Sequence, residues 1–268
     1  MIPCIFGRFM IRLQKNEPIA GEFAEFYPAP GKTDDNEDLN AMKNKPFDFY
    51  IETKEDLINA VHEFGFVPLF ENSVPGFSVA EHVSPKAWFS SEEGVWEWKG
   101  PVIRETGCAY GKFFENKAVF IDREIFPDFA NYRRDGYDFD AAYDDGLIPF
   151  KDKTLYDLLS ERAPILSKRL KRAGGYVKGG RKGFDTVINR LQAQCYVIIG
   201  DFVYELDKNG NTYGWGVAEY STPEIFMGSD FTDSVYAREP EESRGILLDR
   251  LKTLLPRAGE KELLSILK

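Results

Sequence analysis

The stretch "GFDTVINRLQAQCYVIIGDFVYELDKNGNTYGWGVAEYS", residues 183–221, decides the fold, because a helical pattern changes into two strands within it. Its first part predicts an amphipathic helix, since apolar residues recur at helical spacing at Phe184, Val187, Ile188 and Leu191. Two apolar runs then flank Asn209-Gly210, a pair typical of a type I′ hairpin turn. A helix followed directly by a long hairpin is the expected end of a winged-helix unit.

Two further helices are expected upstream, over residues 154–173. Thr154 is expected to cap the first of them, and Pro164 separates it from the second because proline has no amide hydrogen to continue a helix. A glycine pair at 174–175 ends the second helix. Three helices and a hairpin thus predict a winged helix over this part of the chain.

The same order of elements, a helix followed by a hairpin, is indicated less clearly upstream, over residues 53–121. Thr53 and Asp56 form a capping-box pattern at the start of a helix that ends at Gly65. An edge strand over 66–70, a short helix near 100–107 and two strands around Glu115-Asn116-Lys117 follow. Between the two units, a short helix interrupted at Pro127 and an acidic, aromatic loop over 137–147 are expected.

The predicted fold class is α+β, built from tandem winged-helix units. We expect four segments: an irregular acidic extension over 1–50, a first winged-helix-like unit with the aromatic and acidic loop over 51–150, a second unit with basic helices over 151–225, and C-terminal helices over 226–268. Pro256 separates the two helices of the last segment. No exact internal repeat is present.

The charge of the chain is unevenly distributed. The formal net charge is -10, yet residues 162–190 contain nine basic residues and one acid, Asp185, which leaves the rest of the chain at -18. This segment predicts contacts to duplex DNA, because Lys and Arg beside flexible glycines hold phosphates. The predicted DNA-binding residues are Lys168, Arg169, Arg172, Lys178, Arg181, Lys182 and Arg190.

Two other interpretations of the basic segment stay open. The charges could form the ordinary solvated face of a helix. They could also bind an acidic protein partner, including the chain's own N-terminal region.

Neither a metal nor a nucleotide cofactor is expected. The cysteines, Cys4, Cys108 and Cys195, are far apart without a CxxC pair, and there are two histidines, His62 and His82. The aspartates between 135 and 145 lack the spacing of a calcium loop, so a solvated turn is expected. The N-terminal residues lack the uninterrupted apolar run of a signal peptide, which predicts a cytoplasmic protein.

Many aromatic residues suggest either a stacking surface for a flipped or single-stranded base or an aromatic core. The residues in question are Trp88, Trp96, Trp98, Trp215, Tyr110 and Tyr213. Most of them are expected in the core.

Four longer blocks resemble a known family. "WEWKGPVIRETGCAYGKFF", "FPDFANYRRDGYDFDAAYDDGL", "GFDTVINRLQAQCYVIIGDF" and "YGWGVAEYSTPE" together resemble the AlkZ-related, YcaQ-like winged-helix proteins of bacteria, over about residues 50–256. That superfamily includes DNA glycosylases that remove alkylated or crosslinked bases with tandem winged helices and a Gln-x-Gln or Gln-x-Asp motif.

The resemblance implies catalytic roles for Gln192 and Gln194, which would position a water or the electron-poor sugar during cleavage of an N-glycosidic bond. The family's pair lies nearer the N-terminus of the protein than this one does. The alternative is that both glutamines satisfy backbone groups at a helix end. In that case the chain would be a noncatalytic winged-helix regulator or a protein-interaction module.

Overall fold

The computed structural model describes residues 50–88 and 94–267. Within them the chain is a mixture of helices and two small antiparallel sheets, which confirms the α+β class. The extension predicted over 1–50 lies outside the described residues except for Tyr50. None of the described helices is both long enough and apolar enough to cross a membrane.

The first half of the chain forms one three-stranded sheet with its helices. The helices are α1 (Lys54–Phe64), α2 (Pro85–Trp88) and α3 (Val95–Thr106), and the strands are β1 (Phe66–Pro68), β2 (Ala109–Phe114) and β3 (Lys117–Ile121). The strand order is β1-β3-β2, so β1 lies at an edge as Pro68 predicts. Thr53 and Asp56 form the predicted capping box, and Gly65 ends α1 in the left-handed conformation.

The second half begins with α4 (Phe126–Arg134), α5 (Phe139–Asp144) and α6 (Phe150–Arg162), and continues with β4 (Ile165–Leu166), α7 (Ser167–Ala173), α8 (Phe184–Ala193), β5 (Ile198–Leu206) and β6 (Thr212–Ser221). Its sheet has the order β4-β6-β5. The chain then forms α9 (Pro223–Met227), α10 (Ser229–Thr232), α11 (Pro240–Leu254) and α12 (Glu260–Ile266).

Three local predictions were wrong. Pro127 does not interrupt a helix but lies in the first turn of α4, where its missing amide hydrogen is no loss. The segment expected as a loop contains α5, because Asp138 accepts a hydrogen bond from the Ala141 amide and caps it. The helix α6 begins after Pro149, so Thr154 lies inside it and donates to the Phe150 carbonyl instead of capping.

The first hairpin agrees with the sequence prediction, since two paired strands flank Glu115 and Asn116, whereas the turn of the second hairpin differs from it. Glu115 and Asn116 are both left-handed, with φ of 49° and 59°, which is the backbone of a type I′ turn between β2 and β3. At Asn209-Gly210 only the glycine is left-handed, so the type I′ prediction there was wrong. The carboxylate of Asp207 accepts from the amides of Asn209 and Asn211 and favours a different turn.

The tip of the second hairpin, residues 206–214, belongs to a compact unit separate from the body that contains the other described residues. Its internal hydrogen bonds include the Asp207 amide to the Asn211 carbonyl at 2.8 Å. The unit boundaries predicted at 150 and 225 fall inside the body and stay predictions.

Two apolar clusters form the core of the body. The first cluster takes residues from both sheets and from the helices of both halves, including Val61, Val102, Phe120, Leu155, Leu191 and Tyr220. The second cluster packs the C-terminal helices against the first sheet, with Leu247, Leu251 and Leu263 beside Phe66, Phe114 and Phe129. Neither half therefore has a core of its own, and α11 and α12 are part of the fold.

We expect the core contacts of α11 to be large contributors to stability. Leu251 is 0% exposed, whereas Ile246 on the same helix is 43% exposed. Leu251→Ala should lower the free energy of unfolding by about 2–5 kcal/mol, because it leaves a cavity among the aromatic rings. Ile246→Ala, the matched control, should change it by less than about 1 kcal/mol. Urea denaturation measures both, and equal losses would contradict the role assigned to α11.

Candidate nucleic-acid interface

Helix α7 presents most of its basic residues to solvent. The strand β4, directly before it, pairs with β6 through Ile165 with Tyr220 and Leu166 with Glu219. Leu170 is buried in the first apolar cluster and fixes the helix on the body. Because one side of the helix is held in this way, four cationic side chains stay exposed: Lys168, Arg169, Lys171 and Arg172.

A tight glycine-rich loop after α7 exposes three more cations. The Gly180 amide donates to the Val177 carbonyl, and the Arg181 amide donates to the Gly175 carbonyl. A side chain at Gly180 would place its Cβ 2.4 Å from the Gly175 carbonyl oxygen, so glycine is required there. The loop exposes Lys178, Arg181 and Lys182.

Two of the seven predicted DNA-binding residues are engaged in ion pairs. Lys168 pairs with Glu205 of β5 on the surface. Arg190 donates from Nε and Nη2 to the two carboxylate oxygens of Asp152, each at 2.6 Å, and Asp152 is fully buried. That hydrogen bond raises the pKa of Arg190. Arg190 therefore ties α8 to α6, and a DNA contact by it stays a prediction.

The other five predicted residues have no carboxylate partner among the described residues. They are Arg169, Arg172, Lys178, Arg181 and Lys182. Arg181 makes one long hydrogen bond, 3.5 Å, to the Gly174 carbonyl. We call these five residues, with α7 and the 174–183 loop that carry them, the basic strip.

The second hairpin is acidic. Residues 198–221 contain four acids and one lysine, Lys208. Within the body, Asp201 pairs with Arg104 of α3 and Glu205 pairs with Lys168. The basic strip, rather than the hairpin, is therefore the surface that suits phosphates.

The two glutamines predicted as a catalytic pair have different environments. Gln192 is 1% exposed, its Nε2 donates to the Ile188 carbonyl, and its Oε1 accepts from the Lys112 amide of β2. This geometry joins α8 to the first sheet and favours the structural alternative for Gln192. Gln194 lies at the C-cap of α8, is half-buried, and its Oε1 is buried without a hydrogen-bond partner. Catalysis by the pair stays a prediction.

The aromatic candidates divide between core and surface. Trp98 and Tyr110 are buried in the first apolar cluster. Trp88 and Trp96 are half-buried, and Trp215 is 47% exposed. Trp96 contacts both of the others, with ring centroids 5.5 Å apart for Trp88 and Trp96 and 6.1 Å apart for Trp96 and Trp215. The side chain of Tyr213 lies outside the described residues.

The histidines and the acidic segment have local roles. His62 Nδ1 lies 3.0 Å from Asp122 Oδ2, and His82 Nε2 lies 2.7 Å from the Gly76 carbonyl oxygen. Asp140 pairs with Lys153. Among the residues that the structure describes, no three His, Cys, Asp or Glu side chains are grouped so as to hold a metal ion.

The sequence reading missed a buried arginine, Arg134. Its Nη1 donates to Glu224 Oε1 and to the Tyr236 hydroxyl, and its Nη2 donates to the Cys195 carbonyl, each at 2.8 Å. The hydroxyls of Tyr236 and Tyr196 both donate to the Tyr137 carbonyl. The network joins α4, the start of β5, α9 and the segment before α11.

The charge of Arg134 is retained in this site. Burial lowers the pKa of Arg134, but the charge of Glu224, the interaction with Tyr236 and the hydrogen bonds to both residues together outweigh it, so the pKa is raised above its ordinary value. The guanidinium also lies 4.6 Å from the ring centroid of Tyr196. No local sequence pattern predicts this pairing, because Arg134 and Glu224 are 90 residues apart in the chain.

We expect Arg190 to be needed for stability. Arg190→Ala should lower the free energy of unfolding by about 2 kcal/mol or more, because it leaves the buried Asp152 carboxylate without its partner. The control is the exposed Arg172, where Arg172→Ala should change stability by less than about 0.5 kcal/mol. A cycle that adds Asp152→Ala to Arg190→Ala measures the coupling in urea denaturation, and a coupling near zero would refute the structural role.

Comparison with known proteins connects this architecture to one family. No curated protein and no solved structure matches the chain. The AlkZ-related family model matches residues 51–268, which confirms the resemblance of the sequence blocks, and the chain belongs to the AlkZ-related family.

Proposed function

We propose that this protein binds duplex DNA through the basic strip and that it acts on DNA as a glycosylase-like repair protein. Membership of the AlkZ-related family supports the class of function. The observation that carries the proposal is the exposure of the five cations of the basic strip, which form no ion pair with a carboxylate of the described residues, in a chain of net charge -10.

The topology supports a winged-helix interpretation of both halves. The second half has the order α6-β4-α7-α8-β5-β6, and its first strand pairs with its third. The first half has the order α1-β1-α2-α3-β2-β3 with the same pairing of first and third strands. Three helices with a strand after the first and a hairpin after the third are the parts of a winged helix. We therefore propose two such units in tandem.

The basic strip is suited to the DNA backbone more than to base edges. Lysine and arginine side chains on a short helix and a glycine-rich loop contact phosphates, and phosphates fix orientation without reading sequence. The acidic hairpin would repel a second stretch of backbone, so we propose that the phosphate contacts are confined to the basic strip.

For the activity, we propose release of an alkylated base by hydrolysis of its N-glycosidic bond. An alkylated purine is already a good leaving group, so orientation and electrostatic support supply much of the catalysis. Gln194 is the better candidate of the two glutamines to approach a nucleotide, since the amide of Gln192 is bonded to backbone on both sides.

Binding should depend steeply on salt. If all five cations of the basic strip contact phosphates, affinity for duplex DNA should fall on the order of several hundredfold between 50 and 200 mM salt. Lys178→Ala should weaken binding to all sequences alike and reduce the slope of log affinity against log salt by about 1. Fluorescence anisotropy with labelled duplexes measures both quantities.

The matched control is Lys261→Ala, which removes the same charge from an exposed lysine of α12. Its affinity and salt slope should equal those of the wild type. Equal losses in both variants would mean that net charge alone matters, and binding insensitive to salt would overturn the proposal. Binding of an acidic polypeptide in place of DNA would favour the protein-partner alternative.

Base release should be detectable on a duplex that carries an N7-alkylated purine. Alkaline cleavage of the resulting abasic site gives a shortened strand on a denaturing gel. Gln192→Met should retain release, because Gln192 is enclosed, whereas Gln194→Ala should lower the rate by about tenfold or more. No release from alkylated or crosslinked duplexes, with salt-sensitive binding retained, would identify a noncatalytic DNA-binding protein.

A further inference from the structure

A lysine lies between aromatic rings beside the exposed tryptophan. The Nζ of Lys99 is 4.6 Å from the ring centroid of Trp96 and 4.2 Å from that of Phe202. Trp96 in turn contacts Trp215, whose ring is 47% exposed. The amine is thus enclosed by rings, while the side chain as a whole keeps some exposure to solvent.

No hydrogen bond or ion pair joins the Lys99 amine to any described residue; the rings are its contacts. A structural lysine at such a depth is ordinarily paired with a carboxylate. The Oε2 atom of Glu97, on the same helix α3, is also buried without a hydrogen-bond partner. One small region thus combines an amine held between aromatic rings with a buried carboxylate oxygen that has no hydrogen-bond partner, an arrangement typical of functional sites.

The environment makes the amine more nucleophilic. Burial lowers the pKa of Lys99 to about 8, against the opposing charge of Glu97. At pH 7 about one-tenth of such an amine is uncharged, compared with less than about one-thousandth of an ordinary lysine. A desolvated lysine of this kind is the usual nucleophile for a carbonyl carbon.

We propose that Lys99 forms a Schiff base with the C1′ aldehyde of an abasic deoxyribose, while a neighbouring base stacks on Trp215. The amine nitrogen bonds to C1′, and the aldehyde oxygen leaves as water with the two amine hydrogens. The inference rests on the proposed function, because hydrolysis of an N-glycosidic bond leaves that sugar in equilibrium with its aldehyde. Lys99 would form a covalent bond with the sugar, which the two glutamines would not.

The stacking surface fits the partner. Trp88, Trp96 and Trp215 meet edge to face, with Phe70 5.9 Å from Trp88, so the rings support one another and leave the Trp215 face open. Base-on-aromatic stacking tolerates any sequence. Such a surface would hold DNA at an abasic position without selecting the flanking base.

Borohydride trapping tests the Schiff base directly. The full chain is mixed with a duplex whose single abasic site was made beforehand from deoxyuridine by a separate uracil-removing enzyme, so trapping does not depend on base release. Borohydride reduces the C=N bond and leaves a covalent protein-DNA band. We expect this band with the wild type, and mass spectrometry of its peptides should place the sugar on Lys99.

Variants and pH give independent readouts. Lys99→Arg keeps the charge without a competent nucleophile and should lower trapping at least tenfold, as should Lys99→Met. Lys112→Arg, an exposed lysine of β2, should leave it unchanged. The initial rate should rise about tenfold from pH 6 to pH 7 and level off above pH 8, because the uncharged amine reacts.

The possible failures are distinguishable. Salt-sensitive binding of the abasic duplex without a covalent band, or a band whose sugar lies on another lysine, would overturn the inference and leave the proposed function standing. Absence of any DNA binding would overturn both. Peptide mapping uses the wild-type protein. If a Lys99 variant does not fold, the mapped position of the sugar still tests the inference.

Discussion

The buried guanidinium of Arg134 is the interaction on which most of the described body depends. A cation removed from water is tolerated only when it is paired and hydrogen-bonded. The two Nη atoms of Arg134 donate to Glu224, Tyr236 and the Cys195 carbonyl, whereas its Nε is buried without a partner. These partners lie on three separate parts of the chain. The requirement to pair one charge on α4 therefore holds three segments against that helix. They are the junction of α8 and β5, the helix α9, and the segment just before α11.

That junction explains why the two halves do not behave as separate domains. Gln192, the second-to-last residue of α8, accepts a hydrogen bond from the Lys112 amide of β2. Arg133 donates to the Ala193 carbonyl and to the Phe113 carbonyl. The end of α8 is thus held by β2 of the first half and by Arg133 of α4. If the two halves are the winged-helix units proposed above, they share one core, and α3 and α8 are their third helices.

The sequence predicted the parts that depend on local rules, and it missed the parts that depend on distant ones. Helical periodicity located α1, α8 and the C-terminal helices, and the capping box at Thr53 was correct, since each needs a few adjacent residues. The charge of residues 162–190 likewise located the basic strip. The pairing of Arg190 with Asp152, the enclosure of Gln192 and the Arg134 network could not be read locally, because their partners are 38, 80 and 90 residues away.

The same distinction separates the charge pattern from the glutamine motif. An exposed cation keeps its charge wherever the chain places it, so a cluster of exposed cations forms a charged surface after folding. Five of the seven predicted residues form no ion pair with any carboxylate in the part of the chain that the structure describes. A glutamine pair has chemistry only if its amides are free, and the fold uses those of Gln192 for backbone contacts. Lys99 is the reverse case. Trp96 lies one turn before it on α3, but the second ring, Phe202 of β5, reaches its amine only through the tertiary structure, and the burial of the amine depends on both.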